Sequence, residues 1–319
     1  LLFLNTQVHV FPPGTFYDSH VDQFITYHTG YWHVKTKLHI KNTLRETLED
    51  AVKVRLSNTH RDTGFLLSGG LDSSLIASIA QRMVGKIKTF SIGLVGSPDL
   101  EAARKVAKFL GSDHHEVTFT AREGLKVIPE VVMALESYDT TTVRASVPMY
   151  LLCKYIKEKT TCRYIFSGEG SDELLGGYIY FKNAPGVHEF AMENMRRLKL
   201  IHQFDGLRAD RCAGAHGLDL IVPFLDIHFI NACMEMNQSE KVDACEKRAL
   251  REAFVGYLPE DILWRQKDGM SDAVGTGWVN ALRDHADDVV SNNAFMVTKA
   301  VCGEHNAPLT KEEAWYREI

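Results

Sequence analysis

The sequence predicts an α/β fold: a parallel sheet flanked by helices, with a helical C-terminal part. Two observations predict it. Short apolar runs ("TGFLL", "IKTFSIGL", "HHEVTF", "CRYIF") alternate with helical patterns of roughly 10–15 residues, which is how βαβ crossovers and a parallel sheet covered on both faces read. Two of these runs also end in Gly-rich polar turns just before a helix, the place where open parallel sheets receive ligands.

The elements follow in order. Residues 1–33 differ from the rest. "QVHVFPPGTFYDS" reads as a strand, a Pro-Pro-Gly turn and a second strand, and "FITYHTGYW" gathers Phe24, Tyr27, Tyr31 and Trp32 as aromatic packing under a linker. A two-stranded ribbon does not stand alone, so this stretch reads as the end of another domain or an arm on the main one. From about residue 38 the period is helical, with Leu44, Leu48, Val52 and Val54 on one side of "NTLRETLEDAVKVRL". The strand "TGFLL", the helix "SSLIASIAQRMV" and the strand "IKTFSIGL" come next. "SPDLEAARKVAKFLG" carries Ser97 as N-cap, Pro98 at the first helical position and Gly111 as terminator. The strand "HHEVTF" precedes the helix "TAREGLKVIPEVVMAL", which opens with a capping box from Thr120 to Glu123. His114 and His115 read as structural. The helix "VPMYLLCKYIKEK" leads into the strand "CRYIF", and beyond about residue 187 the pattern is helical with no convincing strand.

Composition excludes several classes. At 45% hydrophobic and 24% charged, the 319 residues read as an ordinary globular protein, and a net charge of −5 argues against a nucleic-acid binder. No apolar run reaches the roughly 18–20 residues of a membrane span, and the first residues lack the basic start and cleavage site of a signal peptide. Cys153, Cys162, Cys212, Cys233, Cys245 and Cys302 form no C-x-x-C pair and read as reduced thiols of a cytoplasmic protein.

Chemistry concentrates in two turns. In "SGGLDSS", Gly69 and Gly70 let backbone N–H groups approach a ligand, the following helix points its N-terminus at the same spot, and Ser68, Ser73 and Ser74 add hydroxyls. Such a site favours a polyanion such as phosphate. Asp72 would repel phosphate unless a divalent cation lay between them, so Mg²⁺ is implied. The second turn, "SGEGSDE", places Gly168 and Gly170 around Glu169, with Asp172 and Glu173 following. Three carboxylates so close repel one another and point to a cation, a basic partner or an acid–base role.

Ser-Gly-Gly-x-Asp-Ser at a strand–helix junction resembles the pyrophosphate loop of the ATP pyrophosphatases. "TFSIGL", "YDTTTVRASVPMYLL", "FSGEGSDELLGGYIYF", "LRADRCAGAHGLDLIVPFLD" and "LWRQKDGMSDAVG" follow in the order of the synthetase domain of asparagine synthetases. The resemblance runs from about residue 34 to 319, and it makes residues 1–33 the remnant of an N-terminal glutaminase domain and its linker. It implies ATP-dependent amidation of aspartate through a β-aspartyl-AMP that ammonia attacks, in a cytoplasmic ligase using ATP and Mg²⁺ and allowing a homodimer. Ser68, Gly69, Gly70, Asp72, Ser73 and Ser74 would hold pyrophosphate, with Leu71 in the same cofactor-binding loop, and Leu67, Ile92, Ser167 and Gly168 would border adenosine. Asp72 and Asp172 would hold the metal. Thr141, Thr142 and Arg144 would line the aspartate and adenylate region, Glu169 would take the proton of the attacking ammonia, and Lys267 would neutralise phosphate charge.

Three features depart from the pattern. No cysteine precedes Cys153, so the glutaminase nucleophile is missing and free ammonia is the expected nitrogen source. Ile221 stands where the family has arginine, and the connection "RMVGKIKTF" is short. Two other readings stay open: a β-lactam synthetase-like ligase acting on another carboxylate, and a noncatalytic relative that binds nucleotide.

Overall fold

A computed structural model of the chain describes residues 9–27, 40–59, 62–241, 245–266, 277–304 and 306–319. Strands β3 (Thr63–Leu66), β4 (Lys88–Leu94), β5 (Asp113–Phe119), β6 (Tyr164–Phe166) and β7 (Asp219–Ile221) form one sheet in the order β5-β4-β3-β6-β7. Every pairing in it is parallel. The chain runs outward from β3 through β4 to β5, then returns to the other side of β3 as β6. The order therefore reverses between β3 and β6, and a parallel sheet opens a crevice beyond the strand ends at such a reversal.

Two cores cover the sheet faces. One joins helices α1 (Ile40–Thr59) and α2 (Leu71–Val84) to residues 224–263 through Leu44, Leu48, Leu75, Phe65, Phe229 and Leu250. The other gathers Phe90, Ile128, Val147, Ile165, Cys212 and Trp278. Along α1 the buried stripe runs Leu44, Leu48, Ala51, Val52 and Leu56; Val54 is 61% exposed and does not belong to it, because two residues past Val52 is more than half a helical turn away.

Helices α3 (Pro98–Leu110), α4 (Ala121–Lys126) and α5 (Ile128–Leu135) follow on. Ser97 and Gly111 flank α3 as expected, Gly111 at φ 63°, but the Ser97 side chain makes no cap hydrogen bond. The Thr120–Glu123 capping box is present, with Thr120 N donating to Glu123 Oε2 at 2.8 Å. The single helix expected over residues 120–135 is two, since Pro129 lacks the N–H that would continue α4.

Helix α6 (Thr140–Lys159) starts before the expected Val147, capped by Asp139, and holds Pro148 in its interior. Proline leaves the carbonyl four residues earlier without its helical donor. Here that carbonyl, Arg144 O, accepts instead from the Trp278 indole N–H at 3.0 Å, which ties α6 to the helix Gly277–Val289. His114 hydrogen-bonds Thr89 at 2.9 Å and Ser91 at 3.2 Å, and His115 stacks on Phe90.

Two further expectations change. β7 is a strand the periodicity missed; three residues are too few to show alternation, and only pairing with β6 defines them. The N-terminal ribbon is β1 (Thr15–Asp18) paired antiparallel with β2 (Gln23–Thr26), so the Pro-Pro-Gly turn precedes the hairpin, and His9–Phe11 form no strand. Phe24 packs on Phe11 and Tyr17 yet stays 52% exposed, and Tyr27 is exposed too; Tyr31 and Trp32 lie outside the described residues. All six cysteines are free, and no described helix is long and apolar enough to cross a membrane.

Candidate active site

The turn after β3 is built by glycine and serine. Gly69 adopts φ +74°, and a Cβ there would lie 2.5 Å from Ala103 N, so only glycine fits. Ser68 Oγ accepts from Gly70 N at 3.2 Å, and Ser73 Oγ accepts from Ser68 N at 3.1 Å, which curls the turn over the start of α2. Gly70 caps α2 with no side-chain hydrogen bond, so the first-turn N–H groups remain for a ligand.

The turn after β6 packs directly on it. A Cβ on Gly168 would lie 2.6 Å from Ser73 N and 2.9 Å from Asp72 Cβ. Ser171, opening the short helix α7 (Ser171–Leu175), donates to Asp72 Oδ1 at 2.8 Å. The two turns thus form one wall of a single cleft of about 510 Å³.

Asp72 and Asp172 converge on Lys247, whose Nζ lies 2.6 Å from Asp72 Oδ2 and 2.6 Å from Asp172 Oδ1. Burial works against the ammonium, but the Asp172 and Asp72 carboxylates more than offset it and hold the Lys247 pKa above the ordinary lysine value. A Cβ on Gly177 would run into this pair. Lys247 takes a left-handed backbone at φ 57°, a conformation that persists only where neighbours enforce it. Arg251 fixes the residue just before Lys247, donating to Glu246 O at 2.8 Å and to Glu246 Oε1 at 2.9 Å. A second cation, Arg265, reaches Gly69 O at 3.4 Å and Asp99 at 2.8 Å.

Deeper in the cleft, Glu169 pairs with Arg208 at 2.8 Å, and Arg208 also holds Asp205 at 3.1 Å. Burial pushes the Glu169 pKa up, with Arg208 opposing. Burial and then the Asp172 charge push Glu173 up to about 7. The Tyr178 hydroxyl lies within hydrogen-bond reach of both Glu173 and Asp205, at 2.8 Å from the latter. A phenol has one proton to donate, so one of the two acids must bring its own, and Glu173 is the one whose pKa is raised.

Of the residues expected to bind nucleotide, Leu67, Ser68, Gly70, Leu71, Asp72, Ser73, Ile92, Ser167 and Gly168 line the cleft, as do Thr141, Arg144, Glu169 and Asp172. Others stand elsewhere. Ser74 is buried with its hydroxyl unpartnered among the described residues, and Gly69 contributes the bend. Thr142 is buried and donates its N–H and hydroxyl to the Asp139 carboxylate, at 2.8 and 2.6 Å. Arg144 lines the cleft, but Glu312 takes its fork, with Nε to Oε1 at 2.7 Å. Ile221 packs on the core. Lys267 lies outside the described residues.

The donor set limits what metal fits. Among the described residues no three His, Cys, Asp or Glu gather as ligands. Asp72 and Asp172 alone suit Mg²⁺, which takes one or two carboxylates and completes its shell with phosphate oxygens and water.

Fold and cleft together define an α/β protein with a cleft lined by two Gly-rich turns at the reversal point of a parallel sheet. The sequence model of the asparagine synthase family matches residues 43–193 and 182–319, and the chain belongs to that family. It is 44% identical, over 98% of its length, to a probable asparagine synthetase (glutamine-hydrolysing) of Schizosaccharomyces pombe, and covers 62% of that protein. It is 42% identical over 97% of its length to asparagine synthetase (glutamine-hydrolysing) 1 of Saccharomyces cerevisiae, covering 62% of it. With the asparagine synthetase (glutamine-hydrolysing) of Gallus gallus it shares 45% identity over 88% of its length and 52% of that protein. The chain thus spans less than two thirds of these relatives.

Proposed function

We propose that the chain binds ATP across the two turns and uses it to amidate aspartate, yielding asparagine, AMP and pyrophosphate. The observation that carries this reading is the convergence of Asp72, Asp172 and Lys247 at the mouth of the first turn, with Glu169 in the same cleft.

The β-carboxylate of aspartate attacks the α-phosphorus of ATP and the bond to pyrophosphate breaks, leaving β-aspartyl-AMP. The N–H groups and hydroxyls of residues 68–73 receive the departing pyrophosphate. Lys247 moves its charge from the two aspartates to phosphate oxygens, and the resemblance assigns Lys267 the same work. Asp72 and Asp172 would hold Mg²⁺, which neutralises pyrophosphate charge when bound. Ammonia then attacks the acyl carbon, AMP leaves, and Glu169, whose pKa burial raises, accepts the surplus proton of the new ammonium-like nitrogen. Arg208, held charged by Glu169 and Asp205, fixes the Glu169 carboxylate in place. Leu67 and Ile92 form the apolar wall for adenosine.

Residues 34–319 act in this reading as a synthetase domain. Residues 1–33 are the tail of a glutaminase domain with its linker, and that domain would supply ammonia from glutamine. The test supplies aspartate, ATP·Mg²⁺ and ammonium. Asparagine and AMP should form in equal amounts; ADP in place of AMP, or no asparagine, would overturn the reading.

A further inference from the structure

The cleft lining also includes Tyr178, Arg197, Asp205 and Arg208, a group we call the lobe, joined to Glu169 through Arg208. Most cations of the cleft are committed to carboxylates within the fold: Arg144 to Glu312, Arg208 to Glu169, Arg251 to Glu246, Arg265 to Asp99, and Lys247 to Asp72 and Asp172. Arg197, from helix α8 (Val187–Leu200), is held differently. Its guanidinium carbon lies 4.7 Å from the Tyr178 ring centroid, 6.0 Å from Tyr180 and 5.9 Å from Phe204. Its Nε is buried with no hydrogen-bond partner among the described residues. Aromatic faces fix the plane of a guanidinium while leaving N–H groups along its edge for an acceptor.

Asp205 lines the same part of the cleft, and its charge acts on Arg197. Arg208 and the Tyr178 hydroxyl keep Asp205 ionised despite its burial. A cation with donors to spare near an ionised carboxylate is complementary to a zwitterion: the carboxylate of an α-amino acid meets the guanidinium and its ammonium meets the acid. Arg208 does not fill this role, because Glu169 and Asp205 already share it.

Resting on the reading given under Proposed function, we infer that the amino-acid substrate lies with its zwitterionic end in this lobe, its α-carboxylate on Arg197 and its α-ammonium on Asp205. The side-chain carboxylate is then directed back toward the two turns where ATP is activated. Arg197 is thereby a specificity-determining residue that distinguishes an α-amino acid from an acid lacking the α-carboxylate.

The test compares R197M and R197K with the wild type in acid-dependent pyrophosphate release from ATP·Mg²⁺, using aspartate and β-alanine, which is aspartate without its α-carboxylate. In R197M the KM for aspartate should rise at least about tenfold, the loss expected for a charge-assisted hydrogen bond. The KM for ATP should stay within about twofold, showing an intact nucleotide site, and the preference for aspartate over β-alanine should shrink by the same factor. R197K keeps the charge without the fork and should fall between; it also serves if R197M does not fold. An unchanged KM for aspartate, or an unchanged preference over β-alanine, overturns the assignment of Arg197. A wild type that releases no pyrophosphate with aspartate overturns the reading of the cleft itself.

Discussion

The ammonium of Lys247 lies 2.6 Å from the carboxylate of Asp72, across 175 residues of sequence. This contact joins the first turn to the segment before the helix Arg248–Ala253, and the second turn joins it through Asp172. The buried lysine holds the two carboxylates together and, in the proposed reading, is placed to receive the phosphates of ATP.

Removing that charge leaves two carboxylates facing each other with little solvent. K247M should therefore lower stability by about 3–5 kcal/mol, as expected when one partner of a buried ion pair is lost. Urea unfolding checks this. K247M combined with D72N and D172N should recover most of the loss, because the uncompensated charges go with it.

Gly168 tests whether the two turns must touch. Its backbone is not in the left-handed region, so G168A adds only a methyl against Ser73 N and Asp72. That methyl should push the turns apart and raise the KM for ATP by roughly tenfold or more, since misplacement by about 1 Å carries losses of that order. Initial rates at varied ATP measure it, with G214A as a control whose backbone is not left-handed and whose new Cβ meets nothing within 4 Å.

In the proposed reading Glu169 has a part in amide formation and none in activation. E169Q should retain aspartate-dependent exchange of pyrophosphate into ATP while asparagine formation falls by about 10²–10⁴, the range for loss of a positioned base. Exchange of labelled pyrophosphate and asparagine production, assayed on the same preparation, separate the two steps.

Lys241 gives a stability signature outside the cleft. It is buried against Leu174 O at 2.8 Å and Asn194 Oδ1 at 2.7 Å, and burial pushes its pKa down to about 8. The unfolded chain, at about 10.4, binds more protons above that, so this lysine makes the fold more stable as pH rises from about 8 to about 10.4. Between about pH 7.5 and about pH 9.5 the wild type should gain about 2 kcal/mol relative to K241M. Denaturant melts at the two pH values read the difference.

What was legible in the sequence was local. Strand, Gly-rich turn and helix are contiguous in residues 63–84, so one short stretch states the geometry, and the structure keeps it. The Thr120–Glu123 box and the Gly111 terminator are equally local and stand as expected. What escaped depends on distant partners. Lys247 is one charged residue beside Arg248, and nothing in "CEKRALRE" marks it until residues 72 and 172 are brought to it. The second turn left open a cation, a basic partner or an acid–base role; Lys247 and Arg208 are the basic partners that the structure supplies. Arg144 was assigned to the aspartate and adenylate region by resemblance and does line the cleft, but the sequence could not show that Glu312, 168 residues away, takes its fork. β7 was invisible for the same reason, since β6 alone makes it a strand.

The most direct measurement is the products formed from ATP by wild type and D72N in the presence of aspartate, ammonium and Mg²⁺. The wild type should yield AMP and pyrophosphate in equal amounts, and D72N should lose at least about 10²-fold of that rate, as when a fixed electrostatic group is withdrawn from a transition state. A D72N protein that releases pyrophosphate as fast as the wild type would contradict the claim that these two turns grip the triphosphate.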